Sequence, residues 1–353
     1  MEYPLDVAIL VSYFGAIGAL CWQLRHLFGQ AVQSTRPTSY LFLALSAVSF
    51  LLTWTFMLQY FLHSYREWVS AQHVISDVGT LDRVSRWLHD VSLFDDAWRF
   101  VSSGPWQWLW SHQLCNFTAL VWMPFLAFEG SRRKVPYLWA FMLLGQIVAI
   151  SVASGLFFAV IMPRPKLARN EPSHELTILV TVCMVISSIT IILSPFFADS
   201  LKFLPNLLLM HALLIVPLAK KPEMKSGEVP SQIERSWLIS TVYTLAAGIA
   251  FAIYTRQWMD CISSTPEVQG VWTAFLQLVG TFVFHPAQLS ISFDVICVNV
   301  LCATWILLHT PNASTRRQRK LLTLAALLVP ILSASVVMPI FLAFSERFGS
   351  ITL

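Results

Sequence analysis

The stretch FDDAWRFVSSGPWQWLWSHQLCNFTALVWMPFLAFE, residues 94–129, carries both the fold signal and the candidate chemistry of this chain. Its second half is apolar and long enough to cross a bilayer, which takes ~20 residues. Tryptophan favours membrane interfaces, so its tryptophans alone predict an aromatic belt. Polar groups, however, lie inside the apolar run at His112, Gln113 and Asn116, and Glu129 closes it. We therefore interpret the stretch as one wall of a site within a membrane helix bundle.

The composition of the whole chain indicates a polytopic membrane protein. The 353 residues are 56% hydrophobic and 12% charged, whereas soluble domains are ~25% charged. The net charge of +4 comes from basic residues in short loops beside apolar runs. That pattern is a topology signal and predicts no nucleic-acid partner. The six cysteines form no CxxC pair, so neither a disulfide framework nor a zinc site is indicated.

The hydrophobic pattern predicts an all-α bundle in a single integral-membrane domain, residues 1–353, with about eight or nine transmembrane helices. Val271–Phe284 is too short to span and predicts an additional re-entrant or interfacial helix. The first apolar run lacks a basic start and a cleavage site, so we expect a retained helix. The predicted spans are Leu5–Leu24, Tyr40–Phe61, Trp106–Phe128, Pro136–Met162, Leu176–Phe197, Phe203–Leu218, Trp237–Tyr254, Pro286–His309 and Leu321–Phe341.

Two polar regions interrupt the spans. Residues 62–105 are expected to form an interfacial loop and helix, because apolar residues recur there at helical spacing. Those residues are Val74, Val78, Leu81, Val84 and Leu88. A surface helix on the membrane and a helix packed on the protein explain this pattern equally well. Residues 220–235 form a polar loop.

The distribution of basic loops predicts the orientation. With nine spans, the positive-inside rule places the N-terminus and the three strongly basic loops in the cytoplasm, but puts the basic turn SRRK, residues 131–134, on the opposite side. Arrangements that count 271–284 as a span, or that omit one span, remain open.

Asp294 is the leading candidate for chemistry. It is the only charged residue well inside any predicted span, roughly 12 Å beyond Pro286 along the helix axis. A charged side chain at that depth is costly and is a functional candidate by default. Burial favours the protonated form of a carboxyl group, so Asp294 is expected to act as an acid. A structural hydrogen bond to a neighbouring helix is the alternative, and Ser290 lies one turn earlier on the same face.

The other candidates each have a structural alternative. Glu129 is the second predicted catalytic acid, and an ion pair with Arg132 or Arg133 explains it equally well. Asp96 is the third, and helix capping is its alternative. His112, Gln113 and Asn116 either join helices by hydrogen bonds or bind a ligand oxygen.

Several enzyme classes are excluded by missing motifs. The chain has no histidine cluster of a di-iron oxygenase, no paired acidic motif for a magnesium diphosphate, and no GxSxG, Walker or GxGxxG pattern. We therefore expect no metal and no cofactor. Metal-free acid–base chemistry in an apolar cavity remains, as does transport or binding of a hydrophobic molecule.

Short patterns across most of the chain resemble the fungal integral-membrane terpene cyclases of meroterpenoid pathways, in particular the ascofuranone and ascochlorin type. The patterns are LFDDAWRFV (93–101), WQWLWSHQL (106–114), Glu129 at the end of its span, LLGQIVAISVASGLF (143–157) and HPAQLSISFDV (285–295). The resemblance implies an enzyme of secondary metabolism that protonates the terminal epoxide of a farnesylated phenol and cyclises the chain, as an isomerase or lyase. It also implies Asp294 and Glu129 as the acidic pair, with Asp96 at the acid of the LFxxAW stretch.

The expected site combines these acids with the aromatic wall. The expected substrate-binding residues are Trp98, Trp106, Trp110, Gln113, Asn116, Trp122, Ser290 and Phe293. We expect Asp294 and Glu129 to share one cavity that opens on the membrane side of the 129–136 turn. The expected partners are the epoxidised prenyl-aromatic substrate and membrane lipids, in the endoplasmic reticulum membrane. The expected product is a tetrahydrofuran-type ether, a rearranged cyclohexanone-type ring or another cyclisation product, and the sequence does not separate these. The rival functions are a proton-coupled carrier of a hydrophobic metabolite and a lipid- or sterol-binding scaffold.

Overall fold

The computed structural model describes residues 2–72, 79–166, 171–219, 232–310 and 315–348, and the regular structure within these ranges is entirely helical. The helices are α1 Pro4–Gln33, α2 Pro37–Ala71, α3 Thr80–Asp90, α4 Leu93–Phe100, α5 Pro105–Asn116, α6 Met123–Arg132, α7 Leu138–Ile147, α8 Ile150–Ile161, α9 His174–Phe197, α10 Phe203–Ala219, α11 Gln232–Ser264, α12 Val271–Val283, α13 Pro286–His309, α14 Arg316–Leu332 and α15 Ala334–Phe348. The expected all-helical class is confirmed.

Within the described residues, five helices are long and apolar enough to cross a membrane: Pro4–Gln33, Pro37–Ala71, His174–Phe197, Ser236–Ser264 and Pro286–His309. Several of these helices begin with proline, whose fixed φ suits the first helical turn. Helices α5 and α6 are joined by the π-helical segment Phe117–Trp122 into one continuous rod. Pro124, two residues after this segment, has no N–H for the carbonyl one turn earlier, which explains the wider turn.

Residues 136–162 form a helical hairpin, so the prediction of one span there is wrong. Helices α7 and α8 have 10 and 12 residues, about 15 and 18 Å, which is too short to cross a ~30 Å layer. Phe141 of α7 packs edge-on against Phe157 of α8, with ring centroids 5.2 Å apart. Before the hairpin, Arg133 donates from Nε to the carbonyl of Arg164, just after it, at 3.2 Å. Both ends of the hairpin therefore lie at the same end of the bundle.

A second hairpin replaces the predicted last span, Leu321–Phe341. Helices α14 and α15 are separated at Ser333, whose φ is 73°. His309, which ends α13 shortly before α14 begins, contacts Phe341 of α15 with ring centroids 5.6 Å apart. Glu346, near the end of α15, binds Arg132 at 2.8 Å. Both ends of this hairpin thus lie at the same end of the bundle as Arg132, Arg133 and Arg164. We call it the basic end.

The opposite end of the bundle, the far end, holds the starts of α5 and α13 and the short helices α3, α4 and α12. Trp87 of α3 donates to Ser64 of α2 at 3.2 Å, and His89 stacks on Tyr3 with centroids 3.7 Å apart. Helix α3 is therefore packed on the protein. Val74 and Val78 of the expected amphipathic helix lie outside the described residues, as does 220–231 of the polar loop.

The order of the elements repeats. In each half, a helix runs from the far end to the basic end, the next returns, short helices follow at the far end, a third helix runs back, and a hairpin closes the unit. The first unit is α1, α2, α3 with α4, α5 with α6, and α7 with α8. The second is α10, α11, α12, α13, and α14 with α15, and α9 connects them.

Candidate functional site

A cavity of about 320 Å³ lies beyond the tip of the α7–α8 hairpin, towards the far end. Because the hairpin stops part-way through the bundle, it leaves this space between α1, α2, α5, α10 and α13, with α4 as its roof. Most of the lining is apolar. The polar and aromatic lining residues are Tyr13, Thr53, Phe94, Asp95, Trp98, Cys115, Thr118, Gln146, His211, Ser290 and Asp294.

Asp294 lines this cavity and caps the hairpin tip. Its Oδ2 accepts from the backbone N–H of Ile150 at 3.0 Å, and its Oδ1 from that of Ser151 at 2.8 Å. These are the first N–H groups of α8, where the helix dipole favours an anion. Both oxygens are thus engaged in the manner of a carboxylate. The two bonds hold the Asp294 carboxyl group at a fixed position in the cavity wall.

Other buried side chains satisfy the backbone of the hairpin tip. The hydroxyl of Tyr13 donates to the carbonyl of Ile147, and Nε1 of Trp54 donates to that of Val148 at 3.2 Å. Non-helical backbone at membrane depth is tolerated where it is buried in protein or lines a cavity, and its polar groups must find partners there. At the tip of the α14–α15 hairpin, a buried side chain also satisfies the backbone: Oδ1 of Asn299 accepts from the N–H of Ala334 at 2.8 Å.

Asp95 supplies a second carboxyl group to the cavity. Its Oδ2 accepts from Nε of Arg99 at 2.6 Å. Arg99 is itself held by the carbonyl of Ser200 at 3.0 Å. Oδ1 of Asp95 is buried and has no hydrogen-bond partner among the described residues. The two carboxyl groups of the cavity are therefore held differently, Asp294 through both oxygens and Asp95 through one.

A polar pair that the sequence interpretation missed lies on the α7 and α10 walls. Nε2 of Gln146 donates to the carbonyl of His211 at 3.2 Å. The ring of His211 packs edge-on against Trp98, with centroids 6.2 Å apart. Gln146 and His211 are polar residues within apolar runs, which marks them as candidates. The neighbouring sequence does not determine which way their side chains face.

Of the expected substrate-binding residues, Trp98 and Ser290 line the cavity. The hydroxyl of Ser290 donates to the carbonyl of Thr53 at 2.9 Å, which ties α13 to α2. Trp98 belongs to the roof, together with Phe94 and Asp95.

The remaining expected aromatic residues do not line this cavity. Trp106 packs on Trp258, Trp110 on Phe282, Trp122 on Phe157 and Phe158, and Phe293 on Phe56. The expectation that Trp106, Trp110, Trp122 and Phe293 face Asp294 is therefore wrong for this cavity. These aromatic rings fill helix contacts.

Gln113 and Asn116 also lie outside the cavity lining. Nε2 of Gln113 donates to the carbonyl of Leu109 at 2.7 Å, on its own helix. Asn116 is fully buried, and its amide has no partner among the described residues. Their neighbours Cys115 and Thr118 face the cavity instead.

Glu129 belongs to an ion-pair cluster at the basic end, so the expectation that it shares a cavity with Asp294 is wrong. Its carboxylate pairs with Arg133, with Arg132 at 3.0 Å and with Lys166 at 3.0 Å. Arg132 also binds Glu171 and Glu346. The cluster ties the end of α6, the segment after α8 and the end of α15 together. The cavity lies in the other half of the bundle, because the hairpin tip separates the two.

Asp96 is exposed and does not line the cavity. Helix α4 turns Asp95 towards the cavity, and the adjacent position faces away. Partial desolvation of its carboxyl group raises the pKa of Asp96 above its usual value. Since the two acids are adjacent in sequence, a sequence pattern alone does not show that Asp95, and not Asp96, lines the cavity.

Within the described ranges, no group of three or more histidine, cysteine, aspartate or glutamate residues is placed to hold a metal ion. No protein-family model, curated protein or solved structure matches this chain.

Proposed function

We propose that this protein is a membrane terpene cyclase that opens a terminal epoxide on a farnesylated phenol by protonation and lets the chain cyclise. One observation carries the proposal: two differently held carboxyl groups, Asp95 and Asp294, face one largely apolar cavity. Enzymes give two carboxyl groups different roles, one as acid and one as base, by placing them in different environments. The substrate class follows from the resemblance to fungal membrane cyclases, and a cavity of about 320 Å³ is within the range of small-molecule sites.

Asp95 is the proton donor in this proposal. A carboxyl oxygen that accepts no hydrogen bond can carry a proton without displacing a donor. Both oxygens of Asp294 accept backbone N–H groups, whereas Oδ1 of Asp95 accepts none from the described residues. Arg99 orients the Asp95 carboxyl through the other oxygen.

The reaction is an isomerisation that returns its proton. The proton on Oδ1 of Asp95 passes to the epoxide oxygen as the bond to the tertiary carbon breaks, which leaves a hydroxyl and a tertiary cation. A substrate hydroxyl or alkene attacks the cation, and the proton lost from the product restores the carboxyl group. Atoms and charge balance without a cofactor, and the product has the mass of the substrate.

Asp294 stabilises the cation that forms. Its carboxyl oxygens lie in the cavity wall at the depth of the hairpin tip, in a region of low dielectric where electrostatic effects are large. Trp98 adds an aromatic face, which attracts a cation. Asp294 needs no proton of its own for this role.

The membrane arrangement that fits the fold is seven crossings, α1, α2, α5 with α6, α9, α10, α11 and α13, together with two re-entrant hairpins. The positive-inside rule then places the basic end in the cytoplasm. The turn 131–134 now lies on the same side as the other basic segments, and the N-terminus lies on the opposite side. The cavity is in the lumenal half of the membrane, in the endoplasmic reticulum.

The test compares two adjacent carboxyl groups. Asp95→Asn removes the donor, and Asp96→Asn is the matched control because Asp96 does not line the cavity. With epoxidised farnesyl-phenol added to the protein in nanodiscs, we expect an isomer of unchanged mass. We expect Asp95→Asn to lower turnover by at least ~100-fold, the scale of general acid catalysis, and Asp96→Asn to leave it within about twofold. Equal effects of the two changes contradict the assignment.

A carrier of a hydrophobic metabolite is the second candidate, and one observation favours it. Re-entrant or broken helices with an ion at a helix terminus, and repeated units, are typical of transporters. In that case the protein in proteoliposomes moves the compound between compartments unchanged and coupled to protons. Formation of an isomer without net transfer rejects the carrier.

A further inference from the structure

One wall of the cavity differs from the rest. Leu204 and Leu208 of α10 line it, yet they are 41% and 58% exposed on the outer surface of the bundle. The other residues of the lining are buried or half-buried. The cavity therefore reaches the side of the bundle beside α10, at a surface made of apolar groups.

The hairpin explains why the wall is incomplete. Helix α7 packs against both α1 and α10 and separates them near the basic end. It ends at Ile147 and the chain turns back into α8. Beyond that point no part of the hairpin fills the space between α1 and α10, and Tyr13, Leu204 and Leu208 line the slot that remains. Phe94 of α4 covers it from the far end.

The edges of this slot suit hydrocarbon. Its outer residues Leu204 and Leu208 are exposed and carry no hydrogen-bonding side chain. An acyl or prenyl chain crosses such a surface without loss of polar contacts, whereas a charged or water-borne molecule loses its hydration there. The polar residues Asp95, Gln146 and His211 line the interior of the cavity.

We propose that the slot between α1 and α10 is a lateral portal, through which a lipid-dissolved amphiphile with a long apolar chain and an oxygen-bearing head enters the cavity from the bilayer. This rests on the proposed function in one respect, that the cavity is the ligand site. It adds the route of entry and the physical state of the ligand. Leu208 is the gate residue, because it is the more exposed of the two lining leucines.

The experiment measures entry and does not need turnover. A farnesyl-phenol that carries a diazirine on its chain and has no epoxide is loaded into vesicles and mixed with the protein in nanodiscs. Samples are illuminated at intervals, and labelled cavity peptides are quantified by mass spectrometry. The variants are Leu208→Trp and Leu209→Trp. Leu209 is the matched control, because it is the next residue, is 50% exposed and does not line the cavity.

We expect the initial rate of cavity labelling to fall by about tenfold in Leu208→Trp, since binding then requires a prior movement of the new side chain, and to stay unchanged in Leu209→Trp. Leu204→Trp provides a second portal variant if Leu208→Trp does not fold. Unslowed labelling in the portal variants, equal slowing in Leu209→Trp, or no labelling of the wild-type cavity overturns the portal. Leu208-dependent labelling without any isomer from the epoxide supports the portal and rejects only the cyclase.

Discussion

Glu129→Gln separates a structural glutamate from a catalytic one. Glu129, Glu171 and Glu346 balance Arg132, Arg133 and Lys166 within one cluster. The side chains of Arg133 and Glu129 are 0% and 5% exposed. Among the described residues, Glu129 is the only carboxylate that pairs with Arg133. The amide of glutamine keeps the size of the side chain and removes its charge, so the buried guanidinium of Arg133 loses its direct ion-pair partner.

The expected cost is large. Removal of one partner of a buried ion pair costs about 3–5 kcal/mol. Since 1 kcal/mol shifts Tm by about 2–4 °C in chains of 150–250 residues, and by less in longer ones, we expect a decrease of roughly 6–10 °C. Tryptophan fluorescence during a thermal ramp of the detergent-solubilised protein measures it.

Two further variants sharpen the result. Asp260→Asn removes an exposed pair with Arg256, whose atoms are 3.8 Å apart, and is expected to change stability by less than ~1 kcal/mol. Glu129→Gln combined with Arg133→Gln removes both charges and is expected to recover part of the loss. A Glu129→Gln protein that is as stable as the wild type but has lost turnover refutes this reasoning and returns Glu129 to the active site.

The remaining predictions concern the hairpin, the roof and metal dependence. Asp294→Ala leaves two N–H groups of α8 without an acceptor and is expected to lower the free energy of unfolding by ~2–6 kcal/mol. Asp294→Asn keeps one acceptor and is expected to lose about half as much. Equal unfolding midpoints for the two variants contradict the proposal that Asp294 caps α8. Gly155→Ala brings a Cβ to 3.0 Å from Ser46 and is expected to lower Tm relative to Gly18→Ala, which meets nothing within 4 Å. Asp96→Asn removes a carboxylate whose pKa is raised, so it is expected to stabilise the protein at pH 7, and this gain is expected to vanish as the pH falls through ~4. Unchanged turnover in EDTA is expected from metal-free chemistry, and recovery of lost activity with Mg²⁺ or Zn²⁺ contradicts it.

Local pattern determined the helices of this protein. Long apolar runs, prolines at helix starts and polar loops predict the positions of α1, α2, α9, α11 and α13, because membrane depth demands that backbone hydrogen bonds close within the segment. The same logic selected Asp294, since a charged residue in an apolar run is costly anywhere it is buried. Asp294 lies in a cavity wall, which is where such a residue is expected.

Only the tertiary structure decided which apolar runs form one long helix and which turn back. In residues 136–162 the break falls at Val148 and Ala149, which are ordinary residues in an apolar run. The chain can break there because Tyr13, Trp54 and Asp294, from three other helices, satisfy the freed backbone groups.

The same contacts decided the site. The hairpin reverses the direction of the chain, so Glu129 and Asp294, which a nine-span arrangement brings to one side, lie in opposite halves of the bundle. Likewise Asp95 and Asp96 are adjacent in sequence, but the rotation of α4 sends one to the cavity and the other outward. The hydrophobicity of each segment depends only on its own residues, so the sequence determines it directly. The direction of a segment and the face it presents depend on partners that are far away along the chain.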